Sequence, residues 1–94
     1  MSNAYVDYER LLNSFLSGEI SADGFQRTYL ARFKNEKRIL DKSLFELLDE
    51  LFGDVDAFSS DPTLLAENPT WYLDEIALRE KVVDVSKRLG QLPY

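Results

Sequence analysis

Apolar positions recur three or four residues apart from near the start of the chain: Tyr5, Tyr8, Leu12 and Phe15 follow helical spacing, and Gly18 supplies a C-terminal stop. A second start follows at once. Ser21 can cap the next amides, and Ile20 before it is placed to staple onto Phe25; Phe25, Tyr29 and Phe33 then continue one face. Lys34, Lys37 and Arg38 collect near the end of this helix, where positive charge is favourable, and a break is expected after them.

Ser43-Leu44-Phe45-Glu46 reads as a capping box opening a third helix. On a helical wheel Leu44, Phe45, Leu47, Leu48, Leu51, Phe52, Val55 and Phe58 share one side, and Glu46, Asp49, Glu50, Asp54 and Asp56 fill the other. Residues 59–72 hold Pro62, Pro69, Asn68 and two serines, so they read as a long connection with one helical turn after Asp61-Pro62. Leu78, Val82, Val85 and Leu89 then form a narrow stripe ended by Gly90, with Asp74 and Glu75 well placed near a helix start. Ile76 and Val83 lie about 140° to 160° from that stripe and are expected to be exposed together or to widen the buried face. No segment alternates as a half-buried strand would. The pattern predicts an all-α chain folded as an antiparallel four-helix bundle, its helices about 14 to 16 residues long.

Ninety-four residues, 45% of them hydrophobic, suit one domain spanning 1–94 with a single core. The Ser2-Asn3-Ala4 opening is given no weight, and residues 1–4 are expected to add nothing; Leu92-Pro93-Tyr94 is expected to fold back on the core. Cysteine is absent, which suits a reducing, cytoplasmic setting. No apolar run reaches the roughly 20 residues of a membrane helix, and the N-terminus lacks the pattern of a signal peptide.

Charge changes the picture most. The chain carries 17 acidic and 11 basic residues, a formal net charge of -6, yet no lysine or arginine occurs between Lys42 and Arg79. Glu46, Asp49, Glu50, Asp54, Asp56, Asp61, Glu67, Asp74 and Glu75 all fall in that interval. Ordinary surfaces mix signs, so such a run is either a hydrated face or a surface that attracts a cationic protein and repels nucleic acid and anionic lipid. Catalysis is not expected, because histidine and cysteine are both missing and neighbouring carboxylates on a helix do not converge. Nor is a metal or cofactor. Asp54-Val55-Asp56 opens like a calcium loop, but Phe58, Ser59 and Leu65 stand where a ligand, the glycine and the final ligand belong.

Three stretches carry a likeness to a known family: Leu-x-x-x-Phe-Leu-x-Gly-x-Ile-Ser-Ala from Leu11 to Ala22, followed by Phe25; Val55-Asp56-Ala57-Phe58-Ser59-Ser60-Asp61-Pro62; and Asp74-Glu75 leading into Leu78-Arg79 and Val82. In order and spacing they make the chain resemble the colicin D immunity protein family and related immunity proteins of contact-dependent growth inhibition. The resemblance implies a helical bundle without enzymatic activity that binds the basic, tRNA-cleaving domain of a cognate toxin, as a monomer pairing one to one. It brings Asp56 and Asp61 forward as toxin contacts. Asp49, Glu50, Asp54, Asp74 and Glu75 join them on electrostatic grounds, and Trp71 and Tyr72 as aromatic anchors, Trp71 having the rival role of covering the end of the bundle. Asp56 has a rival role too, an ion pair with Arg79. Two other readings share the acidic face: an adaptor that binds a basic segment of a signalling or transcription protein, and a nucleic-acid mimic directed at a DNA-binding protein.

Overall fold

The computed structural model describes residues 4–92. Five helices follow one another: α1 Ala4–Leu16, α2 Ala22–Lys34, α3 Lys42–Asp56, α4 Pro62–Glu67 and α5 Glu75–Leu89. The sequence pattern anticipates the four long ones; α4 is the turn expected after Asp61-Pro62, extended to 6 residues. Among the described residues there is no strand, only an isolated bridge between Phe58 and Leu73. No described helix is long and apolar enough to cross a membrane.

The first stop and the second start are both local chemistry. Gly18 adopts φ 85°, and around it the Glu19 amide donates to the Ser14 carbonyl at 2.9 Å and the Gly18 amide to the Phe15 carbonyl at 3.1 Å. These two bonds close α1 by satisfying carbonyls that the helix leaves open. Ser21 Oγ then accepts the Gly24 amide at 3.0 Å, and Ile20 packs against the core beside it. Ala4, set aside on sequence grounds, is the first residue of α1 and is buried. Residues 1–3, 93 and 94 lie outside the described residues, so only Leu92 of the apolar tail is placed, partly buried on the core.

The Ser43 capping box does not form. Helix α3 begins two residues earlier, at Lys42, with Asp41 as its N-cap and no side-chain capping bond. Ser43 is therefore the second helical residue, where its backbone is already helical and its hydroxyl no longer stands outside the first turn. Glu46 pairs loosely with Lys42 instead, at 3.9 Å.

Helix α1 packs on α2 and α5, and α3 packs on the same two, which closes a helical bundle around one core. That core is aromatic on the α1/α2 side. Phe15 stacks on Phe25 with centroids 4.6 Å apart, Tyr8 meets Tyr29 edge-on at 6.0 Å, and Tyr29 donates its hydroxyl to the Leu48 carbonyl at 2.7 Å. On the α3/α5 side it is aliphatic, with Leu48, Leu51, Val55, Leu78, Val82, Val85 and Leu89 enclosed. Each such side chain contributes about 1.5 to 3 kcal/mol by leaving water. Phe45 departs from its expected burial: it lies at the α2 flank against Phe33 and stays 47% exposed. The buried stripe of α3 is narrower than the wheel suggests, because α2 covers its Phe45 edge incompletely.

Candidate partner-binding surface

The carboxylates of α3 divide into two rows. Asp49 and Asp56 are seven residues apart and share a flank with Phe45 and Phe52, both of which touch Phe33 of α2. Both acids are exposed, and neither forms an ion pair among the described residues. Glu46, Glu50 and Asp54 form the other row, which faces α5. There Arg88 spans Glu50 with both terminal nitrogens and also reaches Asp84 at 3.2 Å. Bonding to Arg88 holds the Glu50 carboxyl below its ordinary pKa. Partial burial instead raises that of Asp54, against the opposing field of Lys81. An interval free of bases in sequence is thus not free of them in space: α5 lays Lys81 and Arg88 along one row and leaves the other open.

Past α3 the chain makes a closed excursion. The Ser59 amide donates to the Leu73 carbonyl at 3.0 Å and the Leu73 amide to the Ala57 carbonyl at 2.9 Å, so the two ends of residues 59–72 are joined. Gln26 of α2 donates from Nε2 to the carbonyls of Val55 at 3.1 Å and Phe58 at 2.9 Å, satisfying the end of α3. Inside the excursion Ser60 donates to Asp23 at 3.0 Å, Ser59 Oγ accepts the Asp61 amide at 3.1 Å, and Asp61 caps α4 through the Thr63 amide at 2.8 Å. The Asn68 carbonyl accepts from the amides of both Trp71 and Tyr72. Tyr72 is half-buried, whereas Trp71 remains 78% exposed and does not cover the bundle end. Asp74 caps α5 through the Ala77 amide at 2.8 Å. Asp61 and Asp74 are therefore exposed carboxylates with structural duties, each committing one oxygen to a helix start.

Arg79 does not meet Asp56. Its guanidinium lies over the Phe15 ring, 4.8 Å from the centroid, and donates to the Leu16 carbonyl at 3.2 Å, with Glu75 the nearest acid at 3.8 Å. A cation at the C-terminal end of α1 complements that end's negative dipole. Sequence reasoning missed this docking, because Phe15 and Arg79 are far apart in the chain and share no periodicity.

A second polar cluster was equally invisible. At the other end of the bundle Glu36, its side chain nearly enclosed, accepts from Tyr8 at 2.9 Å and from Arg38 Nε at 2.7 Å. Arg38 also pairs with Asp7 at 2.8 Å. The only sequence signal was a charged break after α2, which says nothing of which charges converge.

The long helices thus carry one open row of acids, α3 runs into a tethered excursion with an exposed indole, and residues 3–89 match the family model of bacterial self-protective colicin-like immunity. The chain belongs to this family. The match covers every helix of this colicin-like immunity chain, including the acidic row, the excursion and α5. No curated protein and no solved structure gives a match.

Proposed function

We propose that this colicin-like immunity chain binds and neutralises the nuclease domain of a cognate bacterial toxin, a domain that cleaves tRNA, by presenting carboxylates where the toxin holds phosphates. The four long helices serve as an antiparallel four-helix scaffold, and the protein acts without catalysis in the cytoplasm, one copy per toxin. The observation that carries the reading is the Asp49 and Asp56 row, exposed on a rigid helix and without an ion pair among the described residues.

A domain that cleaves tRNA must hold phosphates with lysine and arginine, and charge-assisted hydrogen bonds from those groups serve a carboxylate as well as a phosphate oxygen. Asp49 and Asp56 would meet those cations directly. Asp61, Asp74 and Glu75 extend the field past the end of α3, while Glu50 and Asp54 contribute less because Arg88 and Lys81 stand beside them. Close charge pairs at an interface couple by roughly 1.5 to 7 kcal/mol, so a few suffice for tight inhibition. Helix geometry favours the role: carboxylates seven residues apart on one helix lie about 10 Å apart along its axis, and no loop must be ordered on binding.

The test is protection. Cells expressing the nuclease domain encoded beside this gene should survive with the wild-type chain and lose protection when Asp49 and Asp56 are both changed to lysine. Full protection by the double variant would remove the acidic row from the mechanism.

A further inference from the structure

Trp71 is the one tryptophan of the chain, and it stands 78% exposed. An indole left in water forgoes more apolar burial than almost any other side chain could. A loose loop tip would let it collapse onto the nearest apolar surface, but the excursion that carries it is held at both ends by the bridge between Phe58 and Leu73. Within it the amides of Trp71 and Tyr72 are drawn onto the Asn68 carbonyl at 3.1 and 3.3 Å. Ile76, in the first turn of α5 just beyond, is 71% exposed. Glu67, Asp74 and Glu75 are exposed around these two side chains in sequence, with no lysine or arginine from residue 43 to residue 78. Two exposed apolar side chains thus stand in an acidic stretch of chain, whose first base is Arg79, docked on Phe15 and 3.8 Å from Glu75.

Resting on the immunity reading, we infer that Trp71 and Ile76 are the apolar anchor of the complex, entering an uncharged pocket bordered by lysine and arginine on the toxin's nuclease domain. Two duties are thereby divided. Asp49 and Asp56 govern how fast the partners meet and share in holding them; Trp71 acts on dissociation alone and decides which toxin is accepted, since a buried aromatic anchor takes no part in long-range steering. The tethered backbone keeps the ordering cost of this contact low. A second copy of the chain is a poor occupant, because it would bring an identical acidic stretch and a net charge of -6 against this one.

The experiment uses the immobilised nuclease domain of the toxin encoded beside this gene and the full-length chain. Trp71→Ala should dissociate roughly 30- to 100-fold faster with association changed less than about twofold, and Trp71→Phe should fall between. Asp56→Lys should slow association steeply, which Trp71→Ala does not, and speed dissociation as well. In the free chain Trp71 emission should be red-shifted and readily quenched by acrylamide. In the saturated complex, after subtracting the same titration of Trp71→Phe, it should be blue-shifted and shielded.

Wild-type dissociation of Trp71→Ala, or unshifted Trp71 emission in the complex, overturns the anchor while Asp56→Lys still reports on the immunity reading. A wild-type chain that neither binds nor inhibits the nuclease domain overturns the immunity reading and the anchor with it. A blue shift of the toxin-free chain with rising concentration means that a second copy covers the indole, and it too overturns the assignment.

Discussion

Arg88 of α5 spans Glu50 of α3 with both terminal guanidinium nitrogens while also holding Asp84. This fork cancels negative charge on the α5 side of α3, so the open row of Asp49 and Asp56 dominates the field. Arg88→Ala should uncover Glu50 and Asp84 and quicken association with a cationic nuclease domain at low ionic strength. The gain should vanish at high salt, as screening requires. Thermal unfolding of the variant should move little, because an exposed pair contributes little to stability. Stopped-flow association at two salt concentrations reads the first effect and circular dichroism the second.

Tyr29 is enclosed between α2 and α3, and its hydroxyl donates to the Leu48 carbonyl at 2.7 Å. Burial and this setting push its ionisation well above the ordinary tyrosine range. Tyr29→Phe keeps the ring packing and deletes the bond, so unfolding in urea should show a loss of about 0.5 to 1.5 kcal/mol without a change of slope.

Arg38 holds the Glu36 carboxyl down to about 2, from 4.5, against the burial that opposes ionisation, with a smaller share from the Tyr8 hydroxyl. A depressed carboxylate stabilises the fold fully above its unfolded pKa of 4.5, and that contribution is lost as pH falls toward 2. Glu36→Gln should therefore lower the thermal midpoint at neutral pH and flatten its decline on acidification. Asp54 has the opposite sign. Burial raises its pKa, so it weakens the fold as pH rises through its titration, and Asp54→Asn should stabilise at neutral pH and do little in acid.

Gly18 sits at φ 85° with open space around the position of a Cβ. Gly18→Ala meets no atom, so its cost is conformational, about 1 to 2 kcal/mol. Chemical denaturation of the variant measures it.

The helices were legible because their signals are local. Gly18 and Ser21 fixed a stop and a start, Asp61-Pro62 marked α4, and Asp74 marked α5, each through a backbone bond within a few residues. Ser43 failed as a cap because the chain is already helical at Lys42, behind an Asp41 N-cap two residues earlier, and short-range pattern does not rank two nearby starts. Periodicity left Ile76 and Val83 between exposure and a wider buried face, and they are exposed.

The surface was half legible. The run of acids was plain in sequence, but its division into two rows was not, since Lys81 and Arg88 reach α3 only by packing of α5 alongside it. The end-to-end tether of residues 59–72 and the docking of Arg79 on α1 are likewise products of tertiary placement. They leave Trp71 exposed and Asp56 without an ionic partner among the described residues.

Under the proposed function, this face replaces a polyanion in the toxin's tRNA-binding cleft. Steady-state cleavage by the nuclease domain, measured at several concentrations of tRNA with the chain present, tests it most directly. Competition is expected: the apparent inhibition constant rises linearly with tRNA concentration, and the maximal rate is recovered at saturating tRNA. An inhibition constant that stays the same at every tRNA concentration, with a depressed maximal rate, would contradict it.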